Sequence, residues 1–372
     1  MVQYVWQTPA WPKFFWNSAV LLQMLGQTRK AQGRLLGEVE YIGLEMQADV
    51  LTDEACTTAA IEGEKLDRNS VRSSVARRLG LPTAGLPGTE RHVDGLVEML
   101  LDATVNYDKP LTSERLKGWQ AALFPTGYSG IQNILVGDWR KGPDPMQVVS
   151  GPIGKEKVHY EAPPAKHLDR QMEYFLSWWN SPPENFDGLL RAALAHFWFV
   201  AIHPFEDGNG RIARAITDMA LAQDEQIGFR LYSMSLKISE ERDNYYNILE
   251  KTQKGDGDLT DWLVWFMGCL ERSILRSEVE VGHTLRKSKF WQQSAKVMLN
   301  ERQKKVINRL LDAGPDGFEG GLTNRKYKGM TKVSRETAKR DIADLVKKGI
   351  LVKNPGGGRN VSYTFLWPEP QI

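Results

Sequence analysis

The 372-residue sequence has no run of eighteen apolar residues, so no segment has the length and apolarity of a membrane-spanning helix. Its opening, Met1-Val2-Gln3-Tyr4-Val5-Trp6, has no basic stretch followed by an apolar one, and a secretory leader is not expected. Cysteine is scarce. Cys56 and Cys269 are far apart and lack companion histidines, which argues against a disulfide framework or a structural zinc cage. Both are expected to be buried small apolar side chains in a cytoplasmic protein. Net charge is also small, +2, against an ordinary 41% hydrophobic and 25% charged composition. Such a chain can build a sizeable core, and its length predicts two or three domains.

The small net charge conceals a split. From Arg286 to Ile372 there are 19 Lys and Arg against 8 Asp and Glu, whereas the preceding residues carry 29 against 38. A basic C-terminal module attached to a mildly acidic body is the expectation. Tryptophan, by contrast, is plentiful. Trp6, Trp11 and Trp16 beside Phe14 and Phe15 predict packing anchors in a helical N-terminal domain over residues 1–50.

Apolar residues three and four apart predict a mainly α body over residues 51–285. Helices are expected at 51–65, 91–104, 113–124, 166–179, 186–202, 210–223, 239–253 and 258–276. Between them, Gln147-Val148-Val149 and Val158-His159-Tyr160 flank Gly151-Pro152 and predict one β-hairpin over 146–160. In the module over 286–372, helices at 301–313, 322–328 and 334–348 precede two β-prone runs around Gly356-Gly357-Gly358. Ser334 is the expected N-cap of the last helix. Three helices and a hairpin describe a winged helix-turn-helix.

The chemistry concentrates in His203-Pro204-Phe205-Glu206-Asp207-Gly208-Asn209-Gly210-Arg211-Ile212-Ala213-Arg214. Gly208 and Gly210 let backbone N–H groups approach an anion, and the following helix adds the positive end of its dipole. Asp207 supplies a hard oxygen ligand suited to Mg²⁺ shared with phosphate. Arg211 and Arg214, three apart, present two guanidinium forks on one side of a helix. His203 titrates near neutrality and suits removal of a proton from a hydroxyl. Phe205 is the expected apolar anchor of the loop. His196, two helical turns before His203, reads as a hydrogen-bonded core histidine.

Those twelve residues resemble, position for position, the signature of the Fic (filamentation induced by cyclic AMP) family, His-x-Phe-x-Asp/Glu-Gly-Asn-Gly-Arg-x-x-Arg. The resemblance implies a protein adenylyltransferase that moves AMP from ATP onto a Ser, Thr or Tyr hydroxyl of a target protein or of itself. It makes His203 the general base and Asp207 the ligand of Mg²⁺ (or Mn²⁺). The Gly208 and Gly210 backbone and Asn209 would hold phosphate, and Arg211 and Arg214 the rest of the polyphosphate. Thr58-Ala59-Ala60-Ile61-Glu62-Gly63 resembles the family's inhibitory motif, with Glu62 paired to Arg214 and removal of AMP as a further activity. The hairpin resembles the family's flap, placing Val148, Val149, Ser150 and Gly151 beside nucleotide and target. Tyr245, Tyr246 and Gln253 are either nucleotide contacts or, for the tyrosines, core aromatics.

A second reading makes the chain a DNA-binding regulator whose Fic core senses nucleotide. Arg335, Lys339 and Arg340 on the last helix, Arg325, Lys326 and Lys328 before it, and Arg359 in the wing could meet phosphates. The same module could instead dock protein or form a homodimer.

Overall fold

A computed structural model describes residues 4–150, 157–314, 318, 320–355 and 361–367. Gly151 of the flap, and Gly356-Gly357-Gly358 and Arg359 of the wing, lie outside the described residues. The chain divides into two compact units, residues 1–277 and 278–372. The boundary expected at 286 lies farther along the same helix, and residues 1–50 belong to the first unit.

In the first unit the helices are α1 (Ser18–Leu36), α2 (Leu44–Ile61), α3 (Arg68–Leu79), α4 (Arg91–Val105), α5 (Ser113–Leu123), α6 (Leu168–Asn180), α7 (Gly188–Ile202), α8 (Asn209–Glu225), α9 (Met234–Glu240) and α10 (Arg242–Gln253). Helix α11 (Thr260–Gln293) begins there and crosses the division. Two antiparallel hairpins interrupt the helices: β1 (Tyr128–Ser129) with β2 (Gln132–Asn133), and β3 (Gln147–Ser150) with β4 (Lys157–Glu161).

The expected helices hold in outline, with five differences, one being that α11 runs on to Gln293 instead of ending near 276. Helix α2 starts at Leu44 rather than 51 and ends at Ile61, with Glu62 as its C-cap. Helix α3 is an element the apolar pattern did not signal, because Arg68-Asn69-Ser70-Val71-Arg72-Ser73-Ser74 is largely polar; Asp67 caps it through Ser70 N. The helix expected over 239–253 is two helices broken at Glu241. The small β1–β2 hairpin was also unanticipated.

The core of this unit is the α7–α8 pair. Helix α7, Gly188-Leu189-Leu190-Arg191-Ala192-Ala193-Leu194-Ala195-His196-Phe197-Trp198-Phe199-Val200-Ala201-Ile202, is buried along nearly its whole length, as a helix apolar all round must be. Asp187 caps it, accepting from Leu189 N and Leu190 N. The N-terminal aromatics pack on it. Trp11 and Phe14 meet Trp198 edge-on, and Trp16 meets Phe186. Trp6 Nε1 also donates to Glu161 O at the base of the flap. His196 is a satisfied core residue between Thr217 Oγ1 and Tyr245 OH, 2.9 Å from each. Cys269 is buried, but Cys56 is only partly so.

The second unit contains α12 (Glu301–Ala313), α13 (Asn324–Thr331), α14 (Arg335–Lys347) and the antiparallel pair β5 (Leu351–Lys353) and β6 (Tyr363–Phe365). Ser334 caps α14 through Thr337 N. Val306, Ile307, Leu310, Tyr327, Ile342, Leu345 and Phe365 form its core.

Candidate active site

The loop between α7 and α8 is built by local chemistry. His203 ends α7 in the left-handed region (φ 51°), a conformation that costs a residue with a Cβ about 1 kcal/mol or more. Phe205 is fully buried against Trp139, ring centroids 4.8 Å apart. Asn209 closes the loop: its Oδ1 accepts from Phe205 N at 2.9 Å and its Nδ2 donates to Phe205 O at 2.8 Å. With both ends of its amide engaged and 2% exposure, the Asn209 side chain shapes the loop. Gly208 has φ 92°, and a Cβ there would lie 3.0 Å from Phe124 Cε2, so only glycine makes this turn without strain.

His203 is partly buried, and its Nδ1 lies 3.3 Å from Val200 O. A carbonyl can only accept, so Nδ1 carries the hydrogen and Nε2 keeps its lone pair. Burial, and then the neighbouring Arg140 guanidinium, push its pKa down to about 4. The Val200 contact, Glu62 and Asp207 pull in the opposite sense. The ring is therefore a neutral base at neutral pH.

The other end of the motif carries the cations. Arg214, 2% exposed, donates from Nε to Thr58 Oγ1 at 2.6 Å and from Nη2 to Thr58 O at 2.9 Å. The same Nη2 meets Glu62 Oε1 at 2.7 Å. Thr58 and Glu62, one turn apart at the end of α2, thus converge on one guanidinium, whose buried Nη1 has no hydrogen-bond partner among the described residues. Glu62 also explains Gly210, where a Cβ would lie 2.1 Å from Glu62 Oε1. The carboxylate occupies the space above the first turn of α8, where the exposed N–H groups and helix dipole favour an anion.

Arg211 is held separately. Its Nη1 donates to Glu64 Oε2 at 3.0 Å, Nη2 lies 3.8 Å from Asp207 Oδ1, and its guanidinium lies over the Phe124 ring at 4.9 Å. Asp207 accepts from Ser129 Oγ through Oδ2 and from Gly208 N through Oδ1 at 2.6 Å. Its side chain is 39% exposed to a groove of about 830 Å³, which Glu62, Glu64, His92, Phe124 and Arg211 also line. Among the described residues no three His, Cys, Asp or Glu side chains form a metal cage. A single exposed carboxylate beside an anion cradle still fits Mg²⁺, which takes one or two protein carboxylates and completes its shell with phosphate and water.

The remaining expected contacts fall differently. Tyr245 is 2% exposed with its hydroxyl on His196, which is the core placement of its two expected readings, and Gln253 is 5% exposed. Tyr246 OH reaches Ile61 O at 3.3 Å, which is the end of α2. In the flap, Val148 pairs with Tyr160 and Val149 with Val158, with a bulge between Val148 and Val149. Val149 and Val158 are exposed, while Tyr160 is buried and donates to Ala201 O at 2.7 Å, two residues before His203.

Residues that the sequence did not single out brace the loop from outside. Leu135 N donates to Glu206 Oε2 at 2.9 Å, Ser129 holds Asp207, and Arg140 donates to His203 O at 2.7 Å. These contacts join distant parts of the chain, so local spacing carries no trace of them. Glu64, two residues after Glu62, was open to the same charge argument as its neighbour.

A profile of the Fic/DOC family matches residues 110–221, and a profile described as a domain of unknown function, DUF4172, matches residues 4–81. A protein adenylyltransferase Fic of Nematostella vectensis is 36% identical over 119 residues, covering 32% of this chain and 26% of that one. Its namesake of Aedes aegypti is 32% identical over 104 residues, covering 28% and 19%. The chain therefore spans about a quarter or less of the length of these relatives. A crystal structure of a Fic family protein from Desulfovibrio desulfuricans G20 shares the fold at 17% identity, with a TM-score of 0.55 over 96% of this chain and 99% of that one. The signature between α7 and α8 lies inside the stretch, residues 110–221, that the Fic/DOC profile matches.

Proposed function

We propose that the protein is an adenylyltransferase that moves AMP from ATP onto a Ser, Thr or Tyr hydroxyl of a target protein or of itself, and that Glu62 holds it inactive. The observation that carries this reading is the placement of the Glu62 carboxylate, on Arg214 and against Gly210, where a nucleotide's terminal phosphate would sit. With Glu62 withdrawn, Arg214 is freed to take the polyphosphate as a charge-assisted fork, one turn from Arg211. His203 Nε2 then takes the proton as the hydroxyl oxygen bonds to the α-phosphorus, the bond to the bridging oxygen breaks and pyrophosphate leaves. Asp207 would hold Mg²⁺, which supplies charge neutralisation across the phosphates when bound. Positioning and charge stabilisation carry most of the rate in such a transfer. Glu62 and water beside the same phosphate also suit removal of AMP.

The flap's exposed Val149 and Val158 support docking of an extended target segment by strand addition. The second unit supports a winged helix-turn-helix reading, and Arg335, Lys339 and Arg340 are exposed on α14, which favours DNA as its partner. Incubating Glu62→Gly with α-labelled ATP, Mg²⁺ and cell lysate, then identifying labelled proteins by mass spectrometry, tests the main reading. Labelled hydroxyl residues are expected. An ATP-binding Glu62→Gly that labels neither itself nor any lysate protein would leave the nucleotide-sensing regulator as the better account.

A further inference from the structure

Arg140 is an anomaly of burial. It is 4% exposed, yet among the described residues no carboxylate lies within ion-pair distance of it. Buried arginines are ordinarily paired with an acid, because an isolated charge is costly to desolvate. Burial accordingly lowers its pKa to about 10. All its assigned bonds go to carbonyls around one corner: Nε to His203 O at 2.7 Å, and Nη2 to Pro163 O and, at 3.5 Å, to Ile202 O. Its backbone N–H donates to Pro204 O at 2.9 Å. Pro163 follows the flap strand β4, so the same guanidinium joins the flap's base to the end of α7.

A cation on the last carbonyls of a helix is a familiar cap. Capping alone does not explain the residue being capped. The left-handed position at a helix end is ordinarily filled by glycine, and here it is a histidine whose lone pair faces away from Val200. We propose that Arg140 is a positioning residue for His203: it fixes the left-handed corner that aims the imidazole and holds a guanidinium beside it. The inference rests on His203 being the base. Glu62 and Asp207 act on the ring in the opposite sense, and Tyr160 is the other titratable group beside Arg140.

The test follows AMP transfer from pH 4.5 to 8.5 in the Glu62→Gly background, with Arg140, Arg140→Lys or Arg140→Gln. The Gln variant should raise the acid-side midpoint of kcat/KM by about one pH unit, the effect of removing one neighbouring charge. The Lys variant should keep that midpoint. Both should hold the KM for ATP within about twofold and lower kcat by roughly tenfold, since neither side chain bridges all three carbonyls. Coincident acid limbs in all three proteins would overturn the inference. If the Gln variant does not fold, the Lys variant decides instead: kcat lowered about tenfold with the KM for ATP kept supports the proposal, and an unchanged kcat overturns it. Full activity in Glu62→Gly/His203→Ala would remove the base reading itself, a separate failure.

A second inference stands on a different contact. Glu62 and Glu64 leave the same turn after α2, and each takes one signature arginine. Glu64 engages Arg211 through Oε2, while His92 Nε2 lies 3.5 Å from its Oε1, and the buried Arg211 Nε has no hydrogen-bond partner among the described residues. We infer that Glu64 is a second inhibitory carboxylate, withholding Arg211 as Glu62 withholds Arg214. ATP affinity and AMP transfer should be compared in Glu62→Gly and Glu62→Gly/Glu64→Gln. Because Glu64 is partly exposed, the double variant should bind ATP about two- to fivefold more tightly. Equal or weaker binding would overturn the inference, and absence of transfer in both would indict the adenylyltransferase reading instead.

Discussion

The two ends of the signature loop are set up in opposite ways. At the His203 end burial, and then the neighbouring Arg140, keep the histidine neutral, and Arg140, with no carboxylate partner among the described residues, bonds the His203 carbonyl. At the Arg211 and Arg214 end, each cation carries a glutamate from the end of α2. On the proposed reading the first end is prepared for chemistry and the second is closed to substrate, so that inhibition would be a matter of occupancy that leaves the base undisturbed.

The strongest way to break this contrast is at the base. In the Glu62→Gly background, His203→Ala should reduce AMP transfer by about 10³-fold, within the range for loss of a general base, while ATP binding by calorimetry stays within about twofold. Comparable loss of ATP binding would mean that His203 builds the anion site instead. Next comes Glu62→Gly itself, which should raise transfer at least about tenfold over wild type, measured as initial rates. Ser129→Ala should be milder. Freed from its hydroxyl partner, Asp207 should need about tenfold more Mg²⁺ for half-maximal transfer, as read from a metal titration. The smallest effect concerns stability. His203 and His196 have pKa values lowered to about 4 and about 3, chiefly by burial, against about 6.5 when unfolded. The unfolded chain therefore binds more protons, and stability present above pH 6.5 should fall as pH drops toward 4. Thermal melts at pH 7.5, 6 and 4.5 should decline in that order, and by less in His196→Gln relative to its own value at pH 7.5.

Much of this was legible in the sequence, for a physical reason. The loop's chemistry lies within twelve consecutive residues, and the spacing of Gly208, Gly210, Arg211 and Arg214 converts directly into geometry on one helix start. The tail was legible likewise: Ser334 caps α14 as expected, and α12 runs over Glu301–Ala313. What escaped was either weakly apolar or tertiary. The polar helix α3 gives little period to detect, and Glu241 breaks α9 from α10 without a glycine or proline. Arg140 and Ser129 meet the loop across 63 and 78 residues of chain. Asn209 suits phosphate by its type as well as it suits a loop closure, and only the structure shows it closing the loop.

The most direct measurement supplies Glu62→Gly with ATP labelled at either the α- or the γ-phosphate, in parallel, and counts label on protein hydroxyls against pyrophosphate released. A protein with the base prepared and the cations freed should incorporate the α-label alone, one for each pyrophosphate. Incorporation of the γ-label, or pyrophosphate released with no label retained although ATP is bound, would contradict the account.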